Sequence, residues 1–178
     1  MKRKISCLLL SMIFMMLAMN NIVYAKSISV ETMPYGPKIE DLKGKDEIIK
    51  NLENIKRIRA NLIVVAIKEN STNEELQALN KDLESYLNEI NKSKRNLEQH
   101  KITYKDSFPD VFFAEEISFI AESYIISIRQ QQNLIRQLQL NQEEAKKLFY
   151  SGYLIPVYYY LTLGDQMVTY IETYFVIS

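Results

Sequence analysis

Apolar side chains recur at steps of three and four residues along the centre of the chain, from Asp110 to Gly152. Spacing of this kind places side chains along one side of an α-helix. No Gly or Pro falls between Asp110 and Ser151, so the pattern predicts one helix of about forty residues with a left-handed cap at Gly152. The apolar stripe consists of Phe113, Ile117, Ile120, Tyr124, Ile128, Ile135, Leu138, Ala145 and Phe149.

A first, shorter helix is predicted from about Lys45 to Glu69. Its end is ambiguous, because a short apolar run such as residues 62–67 also fits a buried strand. The apolar side of this helix would carry Ile48, Leu52, Ile55, Ile58, Leu62 and Val65 or Ala66.

A second helix is predicted after a short polar connection. Ser71 and Thr72 each precede a glutamate by three residues, the spacing of a capping box that starts a helix. Because the connection is short, this helix must fold back antiparallel on the first one. Its apolar stripe is Leu76, Leu79, Leu83, Tyr86 or Leu87, Ile90 and Leu97.

Several residues at the start of the long central helix and within its apolar stripe depart from the apolar pattern. Ser107 is the predicted N-cap, and Pro109 suits the first turn, where a missing N–H costs nothing. Gln131 and Gln142 fall on the apolar stripe. They predict a polar layer that sets helix register, a wet seam, or a solvated end of the bundle.

The last segment begins near Pro156 and is expected to break or bend at Gly164. Its two acids, Asp165 and Glu172, argue against a membrane-spanning helix. The segment packs on the bundle, or it offers an interaction surface or a peripheral membrane contact, since tyrosine suits sites that are apolar at one end and wet at the other. The candidate surface residues are Tyr158, Tyr159, Tyr160, Tyr170 and Tyr174.

Together these stripes predict an all-α fold over residues 45–178. The expected architecture is an elongated antiparallel helical bundle of coiled-coil hairpins, with three to four helices. Residues 26–44 contain Met33-Pro34-Tyr35-Gly36-Pro37 and no helical stripe, so they are expected to form a flexible leader.

Residues 1–25 have the layout of a secretory signal peptide. Lys2, Arg3 and Lys4 precede an uncharged apolar run, and Val23 and Ala25 supply small residues before the cleavage site. The alternative is a retained membrane anchor. Cleavage removes Cys7 and leaves 19 basic and 22 acidic side chains. This mildly acidic chain has no electrostatic footprint for nucleic acid.

The sequence offers no catalytic constellation. The single histidine, His100, lies at a predicted helix end, where capping or solvent exposure is expected. The paired acids Glu74-Glu75, Glu115-Glu116 and Glu143-Glu144 diverge on a helix and cannot share a proton. No phosphate loop, nucleophile elbow or zinc motif is present, so no enzyme activity, cofactor or metal is predicted.

A motif at the end of the central helix points to a known family. The residues are Ala145-x-x-x-Phe149-x-x-Gly152, then Leu154, Leu161 and Leu163-Gly164-Asp165-Gln166, preceded by Ala121-Glu-Ser-Tyr124 and a Gln-rich run. Residues 115–175 thus resemble the helical repeat of TolC-like outer-membrane-factor proteins. In that family two such repeats form a trimeric helical tunnel. This chain is long enough for one repeat at most, so the resemblance implies a shortened, transport-associated component.

The leading hypothesis is an exported, non-catalytic helical protein that acts by protein–protein interaction at the cell envelope. Its partner is expected to be another protein or a further copy of the chain. The alternative hypothesis is the TolC-like transport component, and an enzyme is the least favoured.

Export predicts a defined new N-terminus. Because small residues precede the site after Ala25, the protein recovered outside the cytoplasm should begin at Lys26. N-terminal sequencing of that protein checks the prediction. An intact residue 1–25 segment in the membrane fraction would indicate an anchor instead.

Overall fold

The computed structural model describes residues 36–62 and 66–175. The predicted signal peptide and the first part of the predicted leader lie outside the described residues. The elements, in chain order, are a 3-10 turn Ile39–Asp41, α1 Lys45–Asn61, α2 Asn73–Thr103, α3 Phe108–Leu140, α4 Gln142–Leu148, a π-helical turn Phe149–Leu154 and α5 Ile155–Tyr174. The predicted all-α helical bundle is confirmed, since the described ranges contain no strand.

Helix α1 packs antiparallel to α2. Four cross-helix contacts show this, because each step forward along α1 is matched by a step backward along α2. Glu47 contacts His100, Asn51 contacts Asn96, Asn54 contacts Ser93, and Arg57 contacts Glu89. The apolar stripe of α1 lies inside this pairing, and Ile48, Leu52, Ile55 and Ile58 are fully buried.

The capping box predicted for α2 is present. The Glu75 N–H donates to Thr72 Oγ1 at 3.2 Å, and the Thr72 N–H donates to Glu75 Oε2 at 2.8 Å. Two N–H groups that would lack partners at the helix start are therefore satisfied. Ser71, the other candidate cap, instead accepts from the Lys68 N–H within the preceding turn.

Helix α1 is shorter than predicted, because it ends at Asn61 rather than near Glu69. Leu62 has extended backbone, and both Leu62 and Ile67 are buried. A continued helix would turn one side of this apolar run toward water. A non-helical connection can instead bury Leu62 and Ile67 independently of each other. Residues 63–65, the middle of the run that also fits a strand, lie outside the described residues.

Helix α3 is the centre of the bundle. It contacts α2 along one side and α5 along another, and α1 also packs on it. Its stripe is buried as predicted, from Phe113 to Leu138. Helix α5 runs antiparallel to α3, since Tyr124 contacts Asp165 and the later Ser127 contacts the earlier Val157.

The single helix predicted from Asp110 to Ser151 is interrupted. Helix α3 ends at Leu140, and Asn141 separates it from α4. The break leaves Gln142 exposed, while Ala145 and Phe149 are buried. The chain then passes through the π-helical turn into α5, and Gly152 lies in that turn without a left-handed backbone. The predicted glycine cap is therefore wrong, because the helical path continues instead of stopping.

Two further expectations are corrected in the flanking segments. Residues 36–44 of the predicted flexible leader are packed, with Ile39 and Leu42 buried in the core. Helix α5 runs unbroken through Gly164, because the glycine serves close packing rather than a bend. A Cβ at Gly164 would lie 2.4 Å from Tyr124 Cε1. Within the described ranges, no helix is both long and apolar enough to cross a membrane.

Replacing Gly164 with alanine should destabilise the fold. Alanine favours a helix by about 0.5–1 kcal/mol, but overpacking against a buried ring costs about 1–3 kcal/mol. We therefore expect a net loss in the free energy of unfolding, measured by urea denaturation. Gly152→Ala is the matched control, since its Cβ would meet only Leu148 Cβ at 3.3 Å. Unchanged or higher stability for Gly164→Ala would contradict this packing.

Candidate functional site

A buried carboxylate connects three segments at one end of the bundle. Asp110, in the first turn of α3, is fully buried. Its Oδ1 accepts from the Gly44 N–H at 2.8 Å, and its Oδ2 accepts from the Lys43 N–H at 3.0 Å. The Ser107 hydroxyl also donates to Oδ2. These donors replace the water that the charged group loses on burial.

His100 supplies the remaining contact to this carboxylate. Its Nε2 lies 3.0 Å from Asp110 Oδ1, and its Nδ1 lies 3.1 Å from Glu47 Oε2. A ring that carries protons on both nitrogens can donate to both carboxylates. We call this cluster the α1–α2–α3 junction; it consists of Lys43, Gly44, Glu47, His100, Ser107 and Asp110.

The predicted exposure of His100 is wrong, because only 1% of the residue is exposed. The end of α2 is covered by the start of α1 and by the segment that leads into it. The backbone at Gly44 comes so close that a Cβ there would lie 2.3 Å from His100 Cε1. Sequence reasoning could not find this contact, because the residues that meet are more than fifty positions apart.

The junction keeps Asp110 charged. Burial by itself raises the pKa of a carboxyl group, since it disfavours the charged form. The hydrogen bonds from Ser107, from the Lys43 and Gly44 N–H groups and from His100 outweigh burial and lower the pKa of Asp110 below its ordinary value. The carboxylate therefore contributes to stability at neutral pH.

The junction brings a serine, a histidine and an aspartate together without the geometry of a nucleophile. In a catalytic triad the hydroxyl bonds to the histidine, which the aspartate orients. Here the Ser107 hydroxyl donates to Asp110, and both nitrogens of His100 face carboxylates. All three residues are buried. This arrangement can fix three chain segments, but it presents no free base to a substrate.

A second polar cluster joins α1, α3 and α5 near the middle of the bundle. The Arg59 guanidinium donates to both oxygens of Asp165, from Nε at 2.9 Å and from the terminal nitrogen at 2.8 Å. The Tyr124 hydroxyl donates to Asp165 Oδ1 at 2.8 Å. Burial, and then this hydrogen bond, raise the pKa of Tyr124. Bidentate contacts of this kind restrict orientation as well as distance.

Lys56 and Glu172 form a further ion pair between α1 and α5, at 2.6 Å. Hydrogen bonds from Lys56 to Glu172 and to Glu53 raise the pKa of this lysine. Both acids of α5 therefore face α1. The side of α5 that points away from the bundle is left without a charged residue.

This outer face of α5 contains most of the predicted interaction residues. Tyr158, Tyr159, Tyr170 and Tyr174 are 44%, 62%, 40% and 45% exposed, whereas Tyr160 is half-buried. The outer face of α5 consists of its exposed positions, which are Ile155, Tyr158, Tyr159, Thr162, Gln166, Thr169, Tyr170, Thr173 and Tyr174.

The glutamine-rich part of α3 is divided between core and solvent. Gln131 is buried, and its Nε2 has no hydrogen-bond partner among the described residues. Gln132 and Gln139 line an open cleft of about 540 Å³ between α2 and α3, which also contains Arg129 and Arg136. Gln131 also lines a separate cavity of about 120 Å³ with Leu62 and Tyr86, so the seam is buried at Gln131 and open to solvent at its margin. No cluster of His, Cys, Asp or Glu suited to a metal ion occurs in the described ranges.

Comparisons with known proteins found no relative of this chain. No family model, curated protein or solved structure matches the chain. The resemblance to the TolC-like repeat therefore stays a prediction, as does the absence of catalysis. In the structure, Ala145 and Phe149 of that motif are buried and Gly152 is exposed.

The junction predicts a specific dependence of stability on pH. Because the pKa of Asp110 is lowered in the folded state, its contribution is present above the unfolded pKa of about 3.9 and is lost as pH falls through the folded value. At pH 7, Asp110→Asn should cost about 3–5 kcal/mol, since it leaves buried donors and His100 without their carboxylate.

Urea denaturation between pH 3 and pH 7 measures both effects. The variant should lose less stability on acidification than the parent protein. Asp106→Asn, at an exposed position in the turn before α3, is the matched control and should behave like the parent. Equal acid sensitivity of Asp110→Asn and the parent would contradict the role assigned to this carboxylate.

Proposed function

We propose that this protein is an exported, non-catalytic helical protein of the cell envelope that acts by contact with another protein chain. The contact surface is the outer face of α5. Export and envelope location are supported by the signal-like residues 1–25. The choice of surface is supported by the exposure and charge of α5.

The observation that carries the proposal is that all nine exposed positions of α5 are uncharged, while its two acids, Asp165 and Glu172, are paired with α1 at the edge of this face. Helix α5 spans Ile155–Tyr174, roughly 30 Å at 1.5 Å per residue. A quarter of the whole chain is charged, so a solvated helix of this length would ordinarily carry charges outward. The cores of protein interfaces are depleted of charge and enriched in tyrosine.

The chemistry of this face restricts its partner. Tyrosine rings provide apolar contact area, and their hydroxyls need a hydrogen-bond partner or water at the edge. Thr162, Gln166 and Thr169 add neutral hydrogen-bonding groups between the tyrosines. Charged groups on a partner would lose their bound water on contact with this face and would find no opposite charge on it. The fitting partner is therefore a second helix with an uncharged, hydroxyl-bearing aromatic face.

The geometry of α5 makes this surface rigid before binding. Arg59 and Tyr124 both bond to Asp165, and Lys56 bonds to Glu172, so the inner side of the helix is fixed at two levels. Gly164 allows close packing on α3. A surface that is already ordered loses less conformational entropy when it binds.

A TolC-like transport component remains the second candidate. It is supported by the segment from Ala145 to Gly152, which connects α3 to α5 by way of the short helix α4 and the π-helical turn. This candidate predicts a stable trimer associated with an envelope transport protein. A monomer or a dimer in the envelope fraction would count against it.

Site-directed photo-crosslinking in the producing cells tests the proposed surface. A benzophenone-bearing phenylalanine analogue at Tyr159 or Tyr170 should form discrete protein adducts, because a bound chain would cover those positions. The same analogue at Lys92, an exposed position on α2, is the matched control and should form none. Adducts are separated by mass and identified by mass spectrometry.

No protein adduct at Tyr159 or at Tyr170 would refute the proposal. So would equal labelling at Lys92, since that result would indicate random encounter. Adducts to one protein from both tyrosines would support a single contact surface along α5.

A further inference from the structure

The cavity beside Gln131 lies between α2, α3 and the connection that follows α1, and its volume is about 120 Å³. We call it the Gln131 cavity, and it is lined by Asn61, Leu62, Ala66, Ile67, Leu79, Asp82, Leu83, Tyr86 and Gln131. Four of these residues are buried, whereas Asn61 and Asp82 are exposed. The cavity therefore has a buried inner part and a side that reaches the protein surface.

We infer that the Gln131 cavity is a binding site for a small uncharged carbonyl compound with an apolar body the size of one ring. The apolar body lies against the aliphatic side chains of the cavity, and the carbonyl oxygen accepts a hydrogen bond from Gln131 Nε2. This inference goes beyond the proposed function and does not depend on it, because none of the nine lining residues belongs to α5.

The buried amide of Gln131 is the observation that points to a ligand. Only 2% of the residue is exposed, and its Nε2 has no hydrogen-bond partner among the described residues. A buried donor without a partner lowers the free energy of unfolding, so such groups are rare in folded proteins. An apolar residue at this position of the α3 stripe would not carry that cost. An acceptor atom on a ligand removes the cost when it binds.

The inner part of the cavity suits an apolar group better than water. A buried water typically makes about three hydrogen bonds to protein groups. Apart from Gln131, the buried side chains that line the cavity are aliphatic, and they are Leu62, Ile67 and Leu83. The other polar side chains belong to the half-buried Tyr86 and to the exposed Asn61 and Asp82. A water held by Gln131 would therefore find few further side-chain partners among buried groups.

The volume of the cavity restricts the size of the ligand. An apolar cavity of about 150 Å³ is large enough for benzene, whereas sites for drug-sized ligands have about 300–1,000 Å³. A nucleotide, a peptide or a sugar chain is therefore too large, and a compound of about six non-hydrogen atoms fits. So few atoms can make only limited contact, so we expect a dissociation constant of about 1 mM.

The lining residues also restrict the charge of the ligand. They include no lysine or arginine, and their one charged member is Asp82. A charged group placed beside Leu83 would lose its bound water without meeting an opposite charge. A hydroxyl group would bring a donor that needs an acceptor of its own, whereas a carbonyl oxygen only accepts. An uncharged carbonyl compound therefore matches the single free donor of Gln131.

Two probe molecules of equal size test the inference. Cyclopentanone and methylenecyclopentane share one ring, and a CH₂ group in the second replaces the carbonyl oxygen of the first. Each probe is titrated into the isotope-labelled protein purified from the producing cells, and binding is followed by NMR. Both probes should shift the methyl resonances of Leu83 and Ile67. Cyclopentanone should shift the side-chain N–H resonances of Gln131 more than methylenecyclopentane does.

Gln131→Met separates the hydrogen bond from the apolar contacts. Methionine has a similar length but no donor, and the variant should fold because it removes a buried N–H that has no partner. Its affinity for cyclopentanone should fall about tenfold, and its affinity for methylenecyclopentane should change less than about threefold. Gln132→Met is the matched control, since Gln132 lines the open cleft instead of the cavity, and it should leave both affinities unchanged.

Leu79→Phe provides a second variant that does not depend on the hydrogen bond. Leu79 is half-buried and lines the cavity, so a larger side chain there takes up part of its volume. The affinity for both probes should fall at least about tenfold. Circular dichroism spectra and urea midpoints close to those of the parent show that each variant is folded.

Four results would overturn the inference. The first is the absence of methyl shifts at Leu83 and Ile67 with either probe at about 50 mM, well above the expected dissociation constant. The second is a nuclear Overhauser contact between the Gln131 amide and water that persists at that probe concentration, since it indicates a site for water only. The third is an equal change in both affinities in Gln131→Met. The fourth is unchanged binding in Leu79→Phe, which would place the bound probe elsewhere.

The failure of this inference is distinguishable from the failure of the proposed function. Probe binding is read at Gln131, Leu83 and Ile67, whereas the proposed contact surface is read by crosslinking at Tyr159 and Tyr170. Either result can be positive while the other is negative.

Discussion

The carboxylate of Asp165, together with the buried side chains of Val157, Leu161 and Ile171, sets which side of α5 reaches water. It binds the Arg59 guanidinium through both oxygens and accepts the Tyr124 hydroxyl, so one acid of α5 is tied to α1 and α3 at once. Gly164, one position earlier, removes the side chain that would separate α5 from Tyr124. Close approach and directional hydrogen bonds thus act at the same level of the helix, and the uncharged face is turned outward as a result.

The opposite end of the bundle depends on a different buried acid. At the α1–α2–α3 junction, Asp110 is satisfied by backbone N–H groups of Lys43 and Gly44, by Ser107 and by His100. A buried charge is costly unless it is fully hydrogen-bonded, so this cluster discriminates strongly against other helix arrangements. The apolar core could tolerate some sliding of helices, but the junction cannot, because its donors come from three segments.

These two clusters explain why a small helical protein can present a neutral surface without losing its orientation. The two acids of α5, Asp165 and Glu172, are partly exposed at the edge of its outer face, where they pair with Arg59 and Lys56 of α1. The junction contains a serine, a histidine and an aspartate, the residue types of a catalytic triad. Here they hold three chain segments together. In both places polar groups define geometry, and four tyrosines of α5 stay exposed.

Local patterns in the sequence were sufficient for the all-α class, the buried stripe of α3 and a capping box at Ser71 or Thr72, because each depends on residues within a few turns of one another. The structure selected Thr72. They also located the tyrosines of α5. Only the tertiary structure decided the end of α1, the burial of His100, the packing role of Gly164 and the outward direction of a charge-free face. Those features depend on groups that are distant in sequence, such as Gly44 with Asp110 or Arg59 with Asp165, and helical periodicity carries no information about which distant donor will meet a buried acceptor.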